Sequence, residues 1–170
     1  MSINAKQNEL SENVISYIPA LRAYAWVLTR KQQDVDDLVQ ETLTKAIASA
    51  HQFEMGTNLR AWLMTIMRNT FYNEIVKRTR ERTGNKDCVS GTLSTPSNQE
   101  WAVRGSETIE AIWKLPTHYR DTLVLVIMMG ESYEDAAQIC GVTIGTIKSR
   151  IHRARAMTLQ RLGETTLEDL

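Results

Sequence analysis

Between Gly141 and Leu162 the chain carries five basic side chains, Lys148, Arg150, Arg153, Arg155 and Arg161, and no acid. At helical spacing, Lys148, His152 and Arg155 fall in one row and Ser149 and Arg153 in the next, while Ile147, Ile151 and Ala154 share another face. A helix with hydrogen-bond donors on one side and an apolar seam on the other can enter the major groove of duplex DNA. There Arg pairs with guanine edges, while Lys and Ser reach phosphates or bases. The same pattern would suit a basic amphipathic helix docked on an acidic protein, but the absence of acids and the turn that precedes the helix favour DNA. His152 suits either a groove contact or a plain surface position.

The elements that must position this row are legible just upstream. Ser132 with Asp135 three residues on resembles a capping box in which Asp stands in for Glu or Gln. Small residues (Ala136, Ala137) and Ile139 then lead to Gly141, a residue able to take a left-handed turn, and Thr143 is placed to cap the next helix. Helix, tight glycine turn, helix predicts a helix-turn-helix over 132–156.

A second basic segment runs from Arg60 to Arg82, with six bases against Glu74 and Glu81. Acids compensate elsewhere, at Asp34, Asp36, Asp37 and Glu41 and again at Glu131, Glu134 and Asp135, so the net charge is zero. Two separate basic segments on a neutral chain predict two contacts with a polyanion, leaving other faces for another partner. Solvated charged faces are the plain alternative for each segment alone.

The rest of the chain reads as helix. Val14-Ile15, Ile18, Leu21, Ala25-Trp26 and Leu28 recur at three- and four-residue steps, with Pro19 expected to kink or restart that helix. Asp34 is the expected N-cap of a second helix carrying Val35, Leu38, Val39, Thr42, Ala46 and Ala50 as its stripe. Residues 51–57 break the period at Gly56 and predict a loop, after which Asn58 caps a long third helix. Periodicity lapses from Thr83 to Ser97, which contains Gly84, Gly91 and Pro96 and predicts a flexible linker. It resumes at Val103, Ile109, Ile112 and Trp113, and Leu115-Pro116 marks a stop and restart with Pro116 expected at the first helical position. The run 123–129, LVLVIMM, is rich in β-branched residues but is assigned to helix because no second strand exists for it to pair with. The expected fold is therefore all-α: two small helical domains, 1–82 and 98–170, joined by the linker 83–97.

Composition narrows the function further. At 170 residues with 42% hydrophobic content the chain can bury a core in one domain or two small ones. Cys88 and Cys140, like the three scattered histidines, lack metal-ligand spacing, so neither a metal nor a cofactor is expected. No nucleophile–base pair or phosphate loop points to an enzyme. The polar start and the short longest apolar run, Leu123 to Met129, predict a cytoplasmic protein with no membrane insertion.

Together these segments resemble the group IV, or extracytoplasmic-function (ECF), RNA polymerase sigma factors. GTIKSRIHRAR at 145–155 resembles their region 4.2, LPTHYRDTLVL at 115–125 region 4.1, DVDDLVQETLTKA at 34–46 region 2.2, and FEMGTNLRAWLMTIMRNTF at 53–71 regions 2.3 and 2.4. The likeness spans nearly the whole chain in family order, and its wording is most like the alphaproteobacterial general-stress (EcfG-type) subgroup. It implies that Lys148, Ser149, His152 and Arg153 read the promoter −35 element, with Thr146, Arg150 and Arg155 as further contacts. It implies that Asp34, Asp37, Leu38, Gln40 and Glu41 dock on the polymerase clamp. It also implies that Phe53, Asn58, Arg60, Trp62, Arg68 and Asn69 capture the −10 element. An extruded base needs a stacking face and polar groups for its edge. Trp62 and Phe71 suit the buried side of a helix as well as that role, and Phe53, in a loop, is the better stacker. Core RNA polymerase (clamp and flap), promoter DNA and a small anti-sigma factor are the implied partners.

Two other readings use the same residues. A stand-alone helix-turn-helix repressor would leave the acidic 34–46 segment and the second basic region without a task. A sigma-like decoy that binds only an anti-sigma factor would be expected to carry a receiver domain as well.

Overall fold

The computed structural model describes residues 3–83 and 103–163, with side chains from 13–81 and 107–163, and every regular element among them is helical. The expected linker 83–97 lies outside the described residues beyond Thr83. Two compact units divide the chain, residues 1–93 and 94–170.

In the first unit, α1 (Ile3–Thr29), α2 (Gln32–Ala48) and α3 (Leu59–Thr83) pack on one another. Leu21, Tyr24, Leu28, Leu63, Met64 and Met67 are the largest side chains removed from water, joined by Val35, Leu38, Val39 and Ala46 of α2. Burying each of the leucine, valine and methionine side chains among these stabilises the unit by about 1.5–3 kcal/mol before entropy is counted. Two buried threonines keep their hydroxyls satisfied by bonding one turn back: Thr42 Oγ1 donates to the Leu38 carbonyl at 2.7 Å and Thr29 Oγ1 to that of Ala25 at 3.0 Å.

Four local expectations for this unit need correction. α1 continues through Pro19 without a restart. Pro19 is exposed, and the turn before it holds Ile15, 65% exposed, so the carbonyl deprived of its donor lies on the watery side. Ile15 and Trp26, counted among the recurring apolar positions, face outward on that helix. Asp34 is not the N-cap of α2. The α1–α2 turn is only Arg30 and Lys31, with Arg30 at φ 59°, so α2 starts early and Lys31 holds the cap position without a side-chain bond. Asp34 sits instead inside the first turn, where its charge favours the positive end of the helix dipole. The 51–57 loop opens with a 3₁₀ turn, Ala50–Gln52.

The second unit contains α4 (Val103–Trp113), α5 (Thr117–Leu123), α6 (Tyr133–Cys140) and α7 (Ile144–Leu162), with α7 packed on α4, α5 and α6. Pro116 stands at the N-cap of α5 (ψ 141°), one residue earlier than expected, and its carbonyl accepts from Tyr119 and Arg120 N–H. The apolar run after α5 is helical, as read, but Val124–Met128 winds as a π-turn in which Met129 N–H reaches the Val124 carbonyl at 2.9 Å. The wider turn keeps Val124 and Leu125 inside and turns Ile127 and Met128 out to water. Gly130, at φ 71°, ends it.

Candidate functional site

The helix-turn-helix forms as its caps require. Ser132 Oγ accepts from Asp135 N–H at 3.0 Å and donates to the Asp135 carboxylate at 2.8 Å. The Asp side chain thus returns to the Ser hydroxyl, where the longer Glu of a capping box would reach the backbone N–H. Gly141 takes the left-handed conformation (φ 66°, ψ 38°), which would cost an ordinary L residue about 1–2 kcal/mol. Thr143 Oγ1 then accepts from Thr146 N–H at 3.3 Å and starts α7.

The apolar seam of α7 is Ile147, Ile151 and Ala154, all buried, and α6, whose Ala136, Ala137 and Ile139 are buried too, packs against α7. On the other side Lys148, Ser149, His152, Arg153 and Arg155 are exposed. Thr146 and Arg150 are half-buried, and the Thr146 hydroxyl lies 2.9 Å from that of Thr143, tied into the cap. Ser149 Oγ donates to the Thr146 carbonyl at 3.0 Å, which turns its hydroxyl along the helix. Arg153 Nη1 donates to the Tyr119 hydroxyl at 3.5 Å, a long bond from α7 to α5 that the sequence reading did not include.

In the first unit the candidate docking residues converge. Asp34, Asp37, Leu38 and Glu41 of α2 line a cavity of about 250 Å³ facing Thr70, Phe71, Glu74, Ile75 and Arg78 of α3. Leu38, Phe71 and Ile75 give it an apolar surface, and four carboxylates surround it. Lys45 bonds both Glu41 (2.7 Å) and Thr70 Oγ1 (3.2 Å), and Arg78 pairs with Glu74 at 3.0 Å, so the two helices are held with their acids on the same side. Gln40 is exposed but does not line the groove. The α3 contribution was missed because Phe71 and Glu74 were read within a basic, DNA-facing helix. Their spacing of three residues, continued by Arg78, was the available signal.

The candidate −10 residues divide between faces of α3. Phe53 leaves the loop to pack on Trp62, ring centroids 5.2 Å apart at 50°, and both rings are half-buried. Seven residues on from Trp62, Asn69 occupies the same face and is exposed. Asn58 Oδ1 accepts from Ala61 N–H at 3.2 Å and so caps the helix as read. Arg68 lies about 100° round the helix from Asn69, with its guanidinium 4.7 Å from the Tyr72 ring centre. Arg60, two residues before Trp62, leaves from the far side. Phe53, Trp62 and Asn69 therefore share one face, and Arg60 and Arg68 leave α3 from other faces.

A helix-turn-helix with an outward basic row, and a separate helical unit that carries both an acidic groove and an aromatic pair, are the features expected of a DNA-binding transcription factor that also docks on protein. Family comparison agrees: residues 14–81 match Sigma-70 region 2 and residues 107–157 match Sigma-70, region 4. The chain is 43% identical over 149 residues to the ECF RNA polymerase sigma factor EcfG of Rhodopseudomonas palustris, covering 88% of this chain and 82% of that one. Against the ECF RNA polymerase sigma factor SigC of Mycobacterium tuberculosis it is 33% identical, covering 82% and 78%. The solved structure of the sigma factor RpoE from Bartonella quintana, in complex with the anti-sigma factor NepR, superposes with a TM-score of 0.79 at 40% identity, covering 91% of this chain and 97% of that chain. The chain belongs to the ECF RNA polymerase sigma factors.

Proposed function

We propose that this sigma factor divides promoter recognition between its two units, with each surface doing what its chemistry suits. As an ECF sigma factor it binds core RNA polymerase and directs promoter-specific initiation. The exposed row Lys148, Ser149, His152, Arg153 and Arg155 is suited to reading the −35 element as duplex, with Thr146 and Arg150 supporting it from the helix margin. The Phe53–Trp62 pair with Asn58 and Asn69 is suited to holding a melted −10 base, and Arg60 and Arg68, on other faces of α3, to contacting the backbone of the strand as it passes the helix. The groove of Asp34, Asp37, Leu38 and Glu41 is suited to a basic, apolar-centred patch on the polymerase clamp, with Gln40 at its margin. The observation that carries this reading is the exposed basic row on a capped, apolar-backed α7, on a chain that also bears the acidic groove.

The chain contributes recognition and leaves nucleotidyl transfer to the polymerase. It works where DNA and polymerase are, in the cytoplasm, and no described helix is long and apolar enough to cross a membrane. Likeness to a sigma factor solved with NepR supports control by a small anti-sigma factor, and likeness to EcfG supports a stress-response role.

Run-off transcription tests the function. Core polymerase with this protein should give promoter-dependent transcripts, which base changes in either promoter element should abolish. Co-elution with an anti-sigma factor but no transcript would identify a decoy. Binding to duplex promoter DNA in the absence of polymerase, again with no transcript, would identify a repressor.

A further inference from the structure

We propose that Tyr119 positions Arg153 for base readout, so that α5 sets part of the −35 specificity without itself reading a base. The inference rests on the assignment of Arg153 as a −35 reader.

Tyr119 is half-buried, its ring packed against the cluster of Leu115, Leu123 and Ala154 with Ile112 and Met157 beside it. Ala154 follows Arg153 in α7, and its small side chain gives the ring a seat next to that arginine. The exposed His118 ring also packs on Tyr119, centroids 4.1 Å apart. With two χ angles, a buried cluster against it and the His118 ring in contact, the Tyr119 ring has little freedom, and its hydroxyl lies 3.5 Å from the guanidinium. Arg153 is otherwise an exposed side chain, which loses considerable rotamer freedom on pairing with a base edge. A fixed hydroxyl that accepts one guanidinium N–H narrows that search and leaves the remaining N–H groups of the fork for the groove.

Were Tyr119 only a core residue, phenylalanine would replace it without consequence, because the ring carries all of the packing. The test is therefore Tyr119→Phe in the full chain, assembled with core polymerase, on promoters varied at each −35 base pair. Arg153→Ala and the double variant are measured beside it. Tyr119→Phe should lower discrimination about three- to tenfold at the base pair that Arg153→Ala relaxes, the net worth of one ordinary hydrogen bond, as suits a contact as long as 3.5 Å. Other positions should keep their ranking, and the double variant should match Arg153→Ala alone. Unchanged or sharper discrimination in Tyr119→Phe overturns the inference, as does equal weakening on every promoter, which would mean a phosphate contact. If Arg153→Ala itself relaxes no position, the assignment of Arg153 fails first and the positioning role fails with it.

Discussion

Asp37→Arg should weaken binding to core polymerase by about 2–4 kcal/mol, roughly 30- to 1000-fold, while leaving the fold intact. Asp37 is exposed on the rim of the α2–α3 groove, where Asp34 adds to its field, Glu41 and Glu74 are paired with Lys45 and Arg78, and Leu38, Phe71 and Ile75 provide an apolar surface. A partner patch selected for that field must be basic, and the substitution sets a cation against it. Two unlike contributions combine here, loss of an attraction and creation of a repulsion. The second makes the effect larger than removal of an ordinary surface ion pair, which is worth about 0–1 kcal/mol. The neighbouring Asp36 supplies the control. It pairs with Arg22 of α1 at 2.6 Å and is not among the groove residues, so Asp36→Ala should leave polymerase affinity near the parent's. Titration of labelled core polymerase, with a thermal melt of each variant, checks both. Equal losses for Asp36→Ala and Asp37→Arg would remove the groove from the account.

The second large effect is expected at the other end of the chain. Arg153→Ala should lower discrimination at one −35 base pair by about 1–3 kcal/mol, the worth of a bidentate pairing between Arg and a base edge. Its backbone neighbour Ala154 is buried and Arg153 itself is exposed, so truncation removes the fork without opening a cavity in the seam. Lys148→Ala is the informative comparison. A lysine is a point charge rather than a planar fork, so its loss should weaken all promoters more evenly and flatten the salt dependence by about one phosphate contact. Transcription from a set of single-base −35 variants at two salt concentrations separates the outcomes. Uniform weakening by Arg153→Ala would mean that it touches only the backbone.

The helix-turn-helix was legible in the sequence because its signals are local. Ser132, Gly141 and Thr143 each act within four residues, and each behaves in the structure as its type predicts. Ile147, Ile151 and Ala154 marked the buried seam for the same reason: period alone determines a helical face. What was missed depends on contacts between elements. Asp34 was read as a cap from its own preference, whereas the brevity of the Arg30–Lys31 turn starts α2 two residues before it. LVLVIMM was correctly read as helical, yet its π-wound turn depends on how Val124 and Leu125 reach the core. The α3 side of the acidic groove was hidden because a basic count over 60–82 averages across faces that the fold separates. Phe71, Glu74 and Arg78 line the groove facing α2, whereas Arg60 and Arg68 do not. Tyr119 escaped notice because 34 residues separate it from Arg153, and no periodicity connects α5 with α7.

In the division of labour we propose, α7 meets duplex at −35 while the loop before α3 meets the melted strand at −10. A photo-crosslinking side chain placed at position 149 or position 53, in the open complex with core polymerase, tests it directly. Position 149 should attach to −35 bases and position 53 to the non-template strand of the −10 element. Attachment of either position to polymerase alone, or an exchange of the two DNA sites, would contradict the account.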